Sequence, residues 1–346
     1  MKIGSRSIGA GWPAFVIAEA GVNHDGDVER AKLLIDAASD AGADAVKFQS
    51  FSAASVASAD APKAPYQVAR TGAEGSQLQM LRRLELSPAA HRDLSDHARG
   101  RGIVFCSTPF DLASVDLLEQ LGVPFFKIAS GEITHVPLLR RIGSTGKPIV
   151  LSTGMADEAE IETALATLRA AGAQEIALLH CVSEYPAPVA EANLRAIKSL
   201  GHRFGTPVGY SDHTLGLEAA VAAVVLGACI VEKHLTLDRN AAGPDHRASL
   251  EPQDFLELVR QIRSVESAMG DGIKRPTASE LANRVVTRRG LFAAVDIGKG
   301  TVVTPELVVC KRPSDGIEAS HFDAVIGRRA RRDLVRGQKL TWEHLD

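Results

Sequence analysis

Eight short apolar runs of this 346-residue chain each carry, at or near their C-terminal ends, polar side chains able to do chemistry. The first ends at Glu19, with Asn23 and His24 following. The second carries Lys47 and Gln49, the third ends at Ser107-Thr108, and the fourth carries Lys127 and ends at Ser130, with Glu132 beyond. The fifth ends at Ser152-Thr153, the sixth at His180 with Ser183 and Tyr185 beyond, the seventh at Ser211-Asp212-His213 and the eighth at Glu232-Lys233-His234. Taken singly, each has a plain structural explanation: a strand lysine snorkels or pairs, a Ser-Thr pair caps the next helix, and a lone histidine is a hydrogen-bonded core residue. Capping alone does not readily account for lysines and histidines recurring in otherwise apolar runs. Lys47 and Lys127, with the hydroxyls of Ser130, Ser152, Ser183 and Ser211, would present cations and donors to a phosphate or carboxylate. His213 and His234 end neighbouring runs and can approach one atom, with Glu19 or Asp245 completing an oxygen-rich shell. Two imidazoles with carboxylates or water suit a divalent transition metal acting as a Lewis acid, the alternative being a hydrogen-bonded core pair.

The elements that would hold these residues follow from the spacing. The runs begin near residues 15, 45, 104, 125, 148, 175, 207 and 229 and lack strict alternation, as strands covered on both faces do. Helical patterns lie between them. Asp157 and Glu160 read as an N-cap and its partner ahead of Ile161, Ala164, Leu165 and Leu168, and Leu112, Val115, Leu118 and Leu121 repeat the spacing. Gly42, Gly102, Gly122, Gly146, Gly172 and Gly227 fall where helices must end in the left-handed region. Eight such units predict an α/β fold, a closed (β/α)8 TIM barrel over residues 1–270. An open doubly wound sheet is the alternative, disfavoured by the absence of a GxGxxG after the first strand. Phe51 to Gln79, rich in Ala, Ser, Pro and Gly, predicts a long loop over the barrel mouth before a helix around Met80 to Leu84. Pro252 to Met269 predicts an amphipathic helix with Phe255, Leu258, Val259 and Ile262 inward. Residues 271–285 read as a linker, and 286–346, with short strands and turn signals, as a small β-rich domain.

Composition narrows the function classes. The chain is 45% hydrophobic and 23% charged, the balance of a folded soluble protein. Its longest apolar stretch, Ala219 to Val231, is 13 residues and contains a glycine, short of a membrane span. Met1 to Phe15 lacks the apolar core of a secretory signal, so a cytoplasmic location is expected. The net charge of −3 gives no reason to expect a nucleic-acid partner. The charge is uneven: Val286 to Asp346 holds 11 Lys+Arg against 8 Asp+Glu, leaving +3 there and −6 elsewhere. The four cysteines show no CxxC spacing and read as free thiols.

The segments IAEAGVNHDG, VKFQ, CSTPFD, KIASGEI, LSTGM, HCVSEYPAP, GYSDHT, EKHLT and GPDHRASLEP, in this order, closely resemble the bacterial sialic acid synthase family. The tail, with Lys311-Arg312-Pro313, resembles its antifreeze-like SAF (β-clip) domain, and SEYPAP resembles the branch making legionaminic acid. The resemblance implies condensation of phosphoenolpyruvate with an N-acetylated mannosamine, giving a nine-carbon 2-keto acid and phosphate. It implies that Lys47, Lys127, Ser130, Ser152, Ser183 and Ser211 bind phosphoenolpyruvate and that Gln49, Glu132, Tyr185 and Asp245 contact the sugar. His213 and His234 would hold a Mn2+-type metal, with Mg2+ or Co2+ as alternatives. Glu19 would transfer a proton or hold a water on the metal. It further implies a domain-swapped homodimer in which Arg312 reaches the sugar of the other subunit. Two alternatives remain: a related phosphoenolpyruvate-condensing barrel for a phosphorylated sugar, for which the strand ends offer no second cationic cluster, and a non-catalytic carbohydrate- or ice-binding protein.

Overall fold

A computed structural model describes all of residues 1–346. The chain divides into two compact units, Met1–Gly270 and Asp271–Asp346. The first opens with a hairpin of β1 (Lys2–Ile3) and β2 (Arg6–Ser7), which the sequence reading did not anticipate. Eight parallel strands follow: β3 (Phe15–Gly21), β4 (Ala45–Ser50), β5 (Val104–Pro109), β6 (Phe126–Ile128), β7 (Ile149–Ser152), β8 (Ile176–Cys181), β9 (Val208–Asp212) and β10 (Ile230–His234). They run in the order β5-β4-β3-β10-β9-β8-β7-β6, with β5 beside β6, which closes the barrel. All eight strands read from the sequence are present.

Successive strand residues face opposite ways, so each strand contributes every second residue to the interior. Those rows change character at one level. Phe15 and Ile17 precede Glu19 on β3, Ala45 precedes Lys47 on β4, Phe125 precedes Lys127, Val150 precedes Ser152, and Ile230 precedes Glu232 and His234. The apolar members, with Leu179 of β8, form a buried lower core plugged by Ile3 and Ile8 from the N-terminal segment. This gives the unexpected hairpin a physical role: it seals the floor beneath the polar layer.

The outward rows pack under the helices in a second core. Helix Glu158–Ala170 is closed by a reciprocal box, Asp157 accepting from the Glu160 amide at 2.9 Å and Glu160 from the Asp157 amide at 3.0 Å. It buries Ile161, Ala164, Leu165 and Leu168 as expected. Helix Leu112–Gln120 buries Val115 and Leu118 but leaves Leu112 exposed in its first turn. Helix Pro252–Met269 has the expected inward face. No helix is long and apolar enough to cross a membrane.

Two segments differ from expectation. Residues 51–79 are not a bare loop: they fold as helices Ala53–Val56 and Pro65–Thr71 and the start of Gln77–Arg82. Ser76 caps the last of these, which begins earlier than expected. The expected linker is also partly ordered as helix Ala278–Thr287, nucleated by a Thr277/Glu280 capping box. The second unit pairs β11 (Gly290–Ala293) antiparallel with β12 (Val308–Lys311) and adds isolated bridges around its own core of Leu291, Val303, Val325 and Leu340.

Candidate active site

The polar ends of the strands converge on a cavity of about 500 Å³ at the C-terminal mouth of the barrel. Lys47 and Lys127 form its floor. Lys47 Nζ lies 2.7 Å from Glu19 Oε2 and donates to Thr108 Oγ1 at 3.2 Å. Lys127 Nζ donates to Ser152 Oγ at 2.7 Å and to the Ile128 carbonyl at 3.2 Å. Glu232 bridges the two, 3.8 Å from Lys47 and 3.7 Å from Lys127, and accepts from Ser211 Oγ at 2.9 Å. Strand register produces the cluster: Lys47 and His234 are both level with Glu19, and Glu232 is level with Ser211. The two ammonium groups face Glu19 and Glu232, so the donors of the floor are buried and held in place.

Burial works against every charge here, and the partners decide the outcome. Burial pushes the Glu19 carboxyl up to about 7, outweighing Lys47. For Lys47, burial is outweighed by Glu19 and Glu232, which raise its pKa. Burial lowers Lys127 despite Glu232, whereas Glu232 is held low because Lys127 and Lys47 outweigh its own burial. Glu232 was visible in the sequence only as part of a polar triplet. The missed signal is its two-residue spacing from His234, which puts both on the inward row.

Besides Thr108, four serine hydroxyls ring the floor: Ser152 and Ser211, already placed, with Ser130 and Ser183. Ser130 Oγ lies 3.2 Å from Cys181 Sγ and accepts from the Gly154 amide at 2.9 Å. Gly154 is itself part of the wall, since a Cβ there would come within 2.3 Å of Ser183 Oγ and 2.9 Å of Ser130 Oγ. All four cysteines are free, three of them buried.

His213 and His234 stand edge to face with ring centroids 5.4 Å apart. His213 Nδ1 meets the Val182 carbonyl at 2.5 Å, and because a carbonyl only accepts, Nδ1 bears the proton and Nε2 the lone pair. His234 Nδ1 is buried without a hydrogen-bond partner, 3.8 Å from Asp245 Oδ2. Burial holds both rings neutral, lowering His213 to about 4 and His234 well below its usual value. With His213 Nε2 only in a long contact with Ser211 Oγ at 3.4 Å and His234 Nδ1 unpartnered, the two neutral imidazoles fit a divalent cation. No group of three His, Cys, Asp or Glu side chains is preassembled as a cage, so water or substrate oxygens would complete the shell.

Gln49, Tyr185 and Asp245 also line the cavity. Gln49 Nε2 donates to Glu19 at 3.4 Å, Tyr185 packs on His213 with centroids 4.2 Å apart, and burial lifts Asp245 to about 6. Glu132 is the exception within the barrel unit. It closes a short 3-10 turn, and its carboxylate is engaged by His135 Nδ1 at 2.6 Å instead of facing the cavity. Arg312 belongs to the second unit, exposed just after β12.

Lys233, adjacent in sequence to two site residues, is turned the other way. Its ammonium is fully buried on Asp212 at 2.7 Å and on the Thr214 and Gly216 carbonyls at 2.5 and 2.9 Å, anchoring the loop that follows His213. Lys233→Met is expected to destabilise the protein by about 3–5 kcal/mol by leaving a buried carboxylate unpaired. Denaturant titration checks this; a loss below about 1 kcal/mol would contradict it.

A closed α/β barrel whose mouth combines buried ammonium and carboxylate groups with two neutral imidazoles defines the class: a (β/α)8 barrel with its candidate site at the C-terminal face. The description "NeuB family" matches residues 34–274, and "SAF domain" matches residues 288–346. The chain is 52% identical over 327 residues to the N,N'-diacetyllegionaminic acid synthase of Campylobacter jejuni, covering 94% of this chain and 98% of that one. It is 42% identical to the protein of the same name from Legionella pneumophila, covering 99% and 98%. Among solved structures, N-acetylneuraminic acid synthetase from Leptospira borgpetersenii superposes with a TM-score of 0.72 at 36% identity, covering 82% of this chain and 94% of that one. The chain belongs to the NeuB family, carries a C-terminal SAF domain and is an enzyme of the transferase class.

Proposed function

We propose that this enzyme condenses phosphoenolpyruvate with the open-chain form of 2,4-diacetamido-2,4,6-trideoxymannose, giving N,N'-diacetyllegionaminate and phosphate. The observation that carries the reading is the pair of buried ammonium groups, Lys47 and Lys127, held by Glu232 beneath two neutral imidazoles. The 52% identity to a synthase named for that product supports this sugar over N-acetylmannosamine.

The substrate's phosphate and carboxylate bind to Lys47 and Lys127, with the hydroxyls of Ser130, Ser152, Ser183 and Ser211 donating around them. Gln49, Tyr185 and Asp245, which line the cavity, hold the sugar. The enol carbon C3 attacks the aldehyde carbon, forming the new C–C bond while the aldehyde oxygen takes a proton. Glu19, its carboxyl raised to about 7, is the proton donor within reach of the floor. Water then adds at C2 and returns a proton to the Glu19 carboxylate; the C2–oxygen bond to phosphate breaks as the new C2 hydroxyl becomes the keto group and its proton leaves with the phosphate. A divalent cation, Mn2+ or else Mg2+ or Co2+, held by His213 and His234, supplies Lewis-acid polarisation of the aldehyde when bound. The working form is a domain-swapped homodimer in which Arg312 reaches the partner subunit's sugar, acting in the cytoplasm.

The test is phosphate release from phosphoenolpyruvate with Mn2+, in parallel with each of the two sugars and with a chelator. Chelator-sensitive release with the trideoxy sugar is expected. No release with either sugar from folded, Mn2+-supplied protein would contradict the reading.

A further inference from the structure

The cavity is chemically divided. Its floor is charged, but the wall supplied by the helical excursion over residues 51–84 is mainly apolar, with Val56, Met80 and Leu81 facing the space. Val56 is 38% exposed, an apolar side chain left open in that wall. A trianion has no use for such a surface, so the wall must serve the other reactant.

One hydroxyl is set into the wall, beside the side-chain amides of Gln67 and Gln77. Tyr66, on helix Pro65–Thr71, packs against Tyr185 with ring centroids 5.0 Å apart, and Tyr185 in turn packs on His213. Gln67 Oε1 accepts the Ala64 amide at 2.9 Å and lies 3.5 Å from Gln77 Nε2. This fixes which end of the Gln67 amide is oxygen, so its Nε2 donates to Tyr66 Oη at 3.3 Å. The phenol oxygen is therefore an acceptor in that bond, and its own hydrogen has no protein acceptor. Burial and the nearby Asp245 carboxyl raise the phenol pKa, so the donor stays protonated. The wall thus offers one oriented O–H amid apolar surface, suited to a carbonyl beside a methyl group.

We propose that Tyr66 is a specificity-determining residue: its hydroxyl donates to the carbonyl of the sugar's 4-acylamino group, while Val56, Met80 and Leu81 receive the 6-deoxy end. The inference rests on the condensation proposed above and adds the residues that choose the sugar. A fully hydroxylated hexose would leave its 6-hydroxyl against apolar side chains and offer Tyr66 no carbonyl at C4.

The experiment measures kcat/KM for 2,4-diacetamido-2,4,6-trideoxymannose and for N-acetylmannosamine in the parent, Tyr66→Phe and Val56→Ser, with the KM for phosphoenolpyruvate alongside. Tyr66→Phe keeps the ring packing, and Val56 is exposed enough to change without loss of fold. Each substitution is expected to cut the preference for the trideoxy sugar about 10- to 100-fold, leaving the KM for phosphoenolpyruvate unchanged. A preference unaltered in both variants overturns the inference while leaving the condensation standing; a parent that prefers N-acetylmannosamine overturns both the inference and the sugar proposed above, leaving only the reaction with phosphoenolpyruvate. A parent that turns over neither sugar overturns the inference and the condensation alike.

Discussion

Replacing Lys47 by methionine is expected to lower kcat/KM about 10³-fold and to give the folded protein a new pH dependence. The loss of activity follows from removing one of the two ammonium groups that, in the proposed reaction, would meet the anion. The pH effect follows from Glu19, which loses the cation 2.7 Å away and retains Gln49 at 3.4 Å. A carboxyl whose folded pKa is raised contributes stability that is complete below its unfolded value of 4.5 and is lost as pH rises through the folded value. In the parent that loss levels off above about 7. Without Lys47 the folded pKa rises further, so stability continues to fall by about 1.4 kcal/mol per pH unit beyond that point. Denaturant titrations of parent and variant from pH 5 to pH 9 should run parallel in the acid range and diverge in the alkaline range. Parallel curves throughout would mean that the two side chains are not coupled.

Gly154→Ala is expected to raise the KM for phosphoenolpyruvate about 10²-fold with little change in stability. The added methyl group enters space occupied by Ser183 Oγ at 2.3 Å and Ser130 Oγ at 2.9 Å, with Cys181 Sγ at 3.0 Å. Serine hydroxyls can rotate aside, so the fold survives, but they leave the positions from which they would donate to the anion. Steady-state kinetics with thermal unfolding separate this from general damage. An unchanged KM would remove those two hydroxyls from the binding site.

The barrel was legible because its strands are apolar enough to stand out and its glycines mark the helix ends: all six singled out have positive φ. The site was legible for a related reason. A charged residue two places after an apolar one on a buried strand lies in the same interior row, as with Phe125 and Lys127 or Ile230 and Glu232. What the sequence hid depends on partners from elsewhere. Glu132 has the right position in the chain, but His135 is three residues on and takes its carboxylate. The helices over residues 51–79 were obscured by a loop-like composition, since no single one is long enough to show a period. The Ser76/Gln79 and Thr277/Glu280 capping pairs were the available signals for the helix at Gln77 and for helix Ala278–Thr287. The hairpin at Lys2 is too short to be distinguished from coil, and its role appears only where Ile3 and Ile8 meet the barrel floor.

The most direct test of the central claim follows a single carbon. Phosphoenolpyruvate labelled with carbon-13 at C3 is incubated with enzyme, Mn2+ and the trideoxy sugar, and the product is read by NMR. The expected result is a labelled methylene coupled to a carbinol proton of the sugar-derived chain, appearing in step with phosphate. Label recovered in the methyl group of pyruvate would mean that the floor of Lys47 and Lys127 only hydrolyses the phosphate ester, and would contradict the condensation.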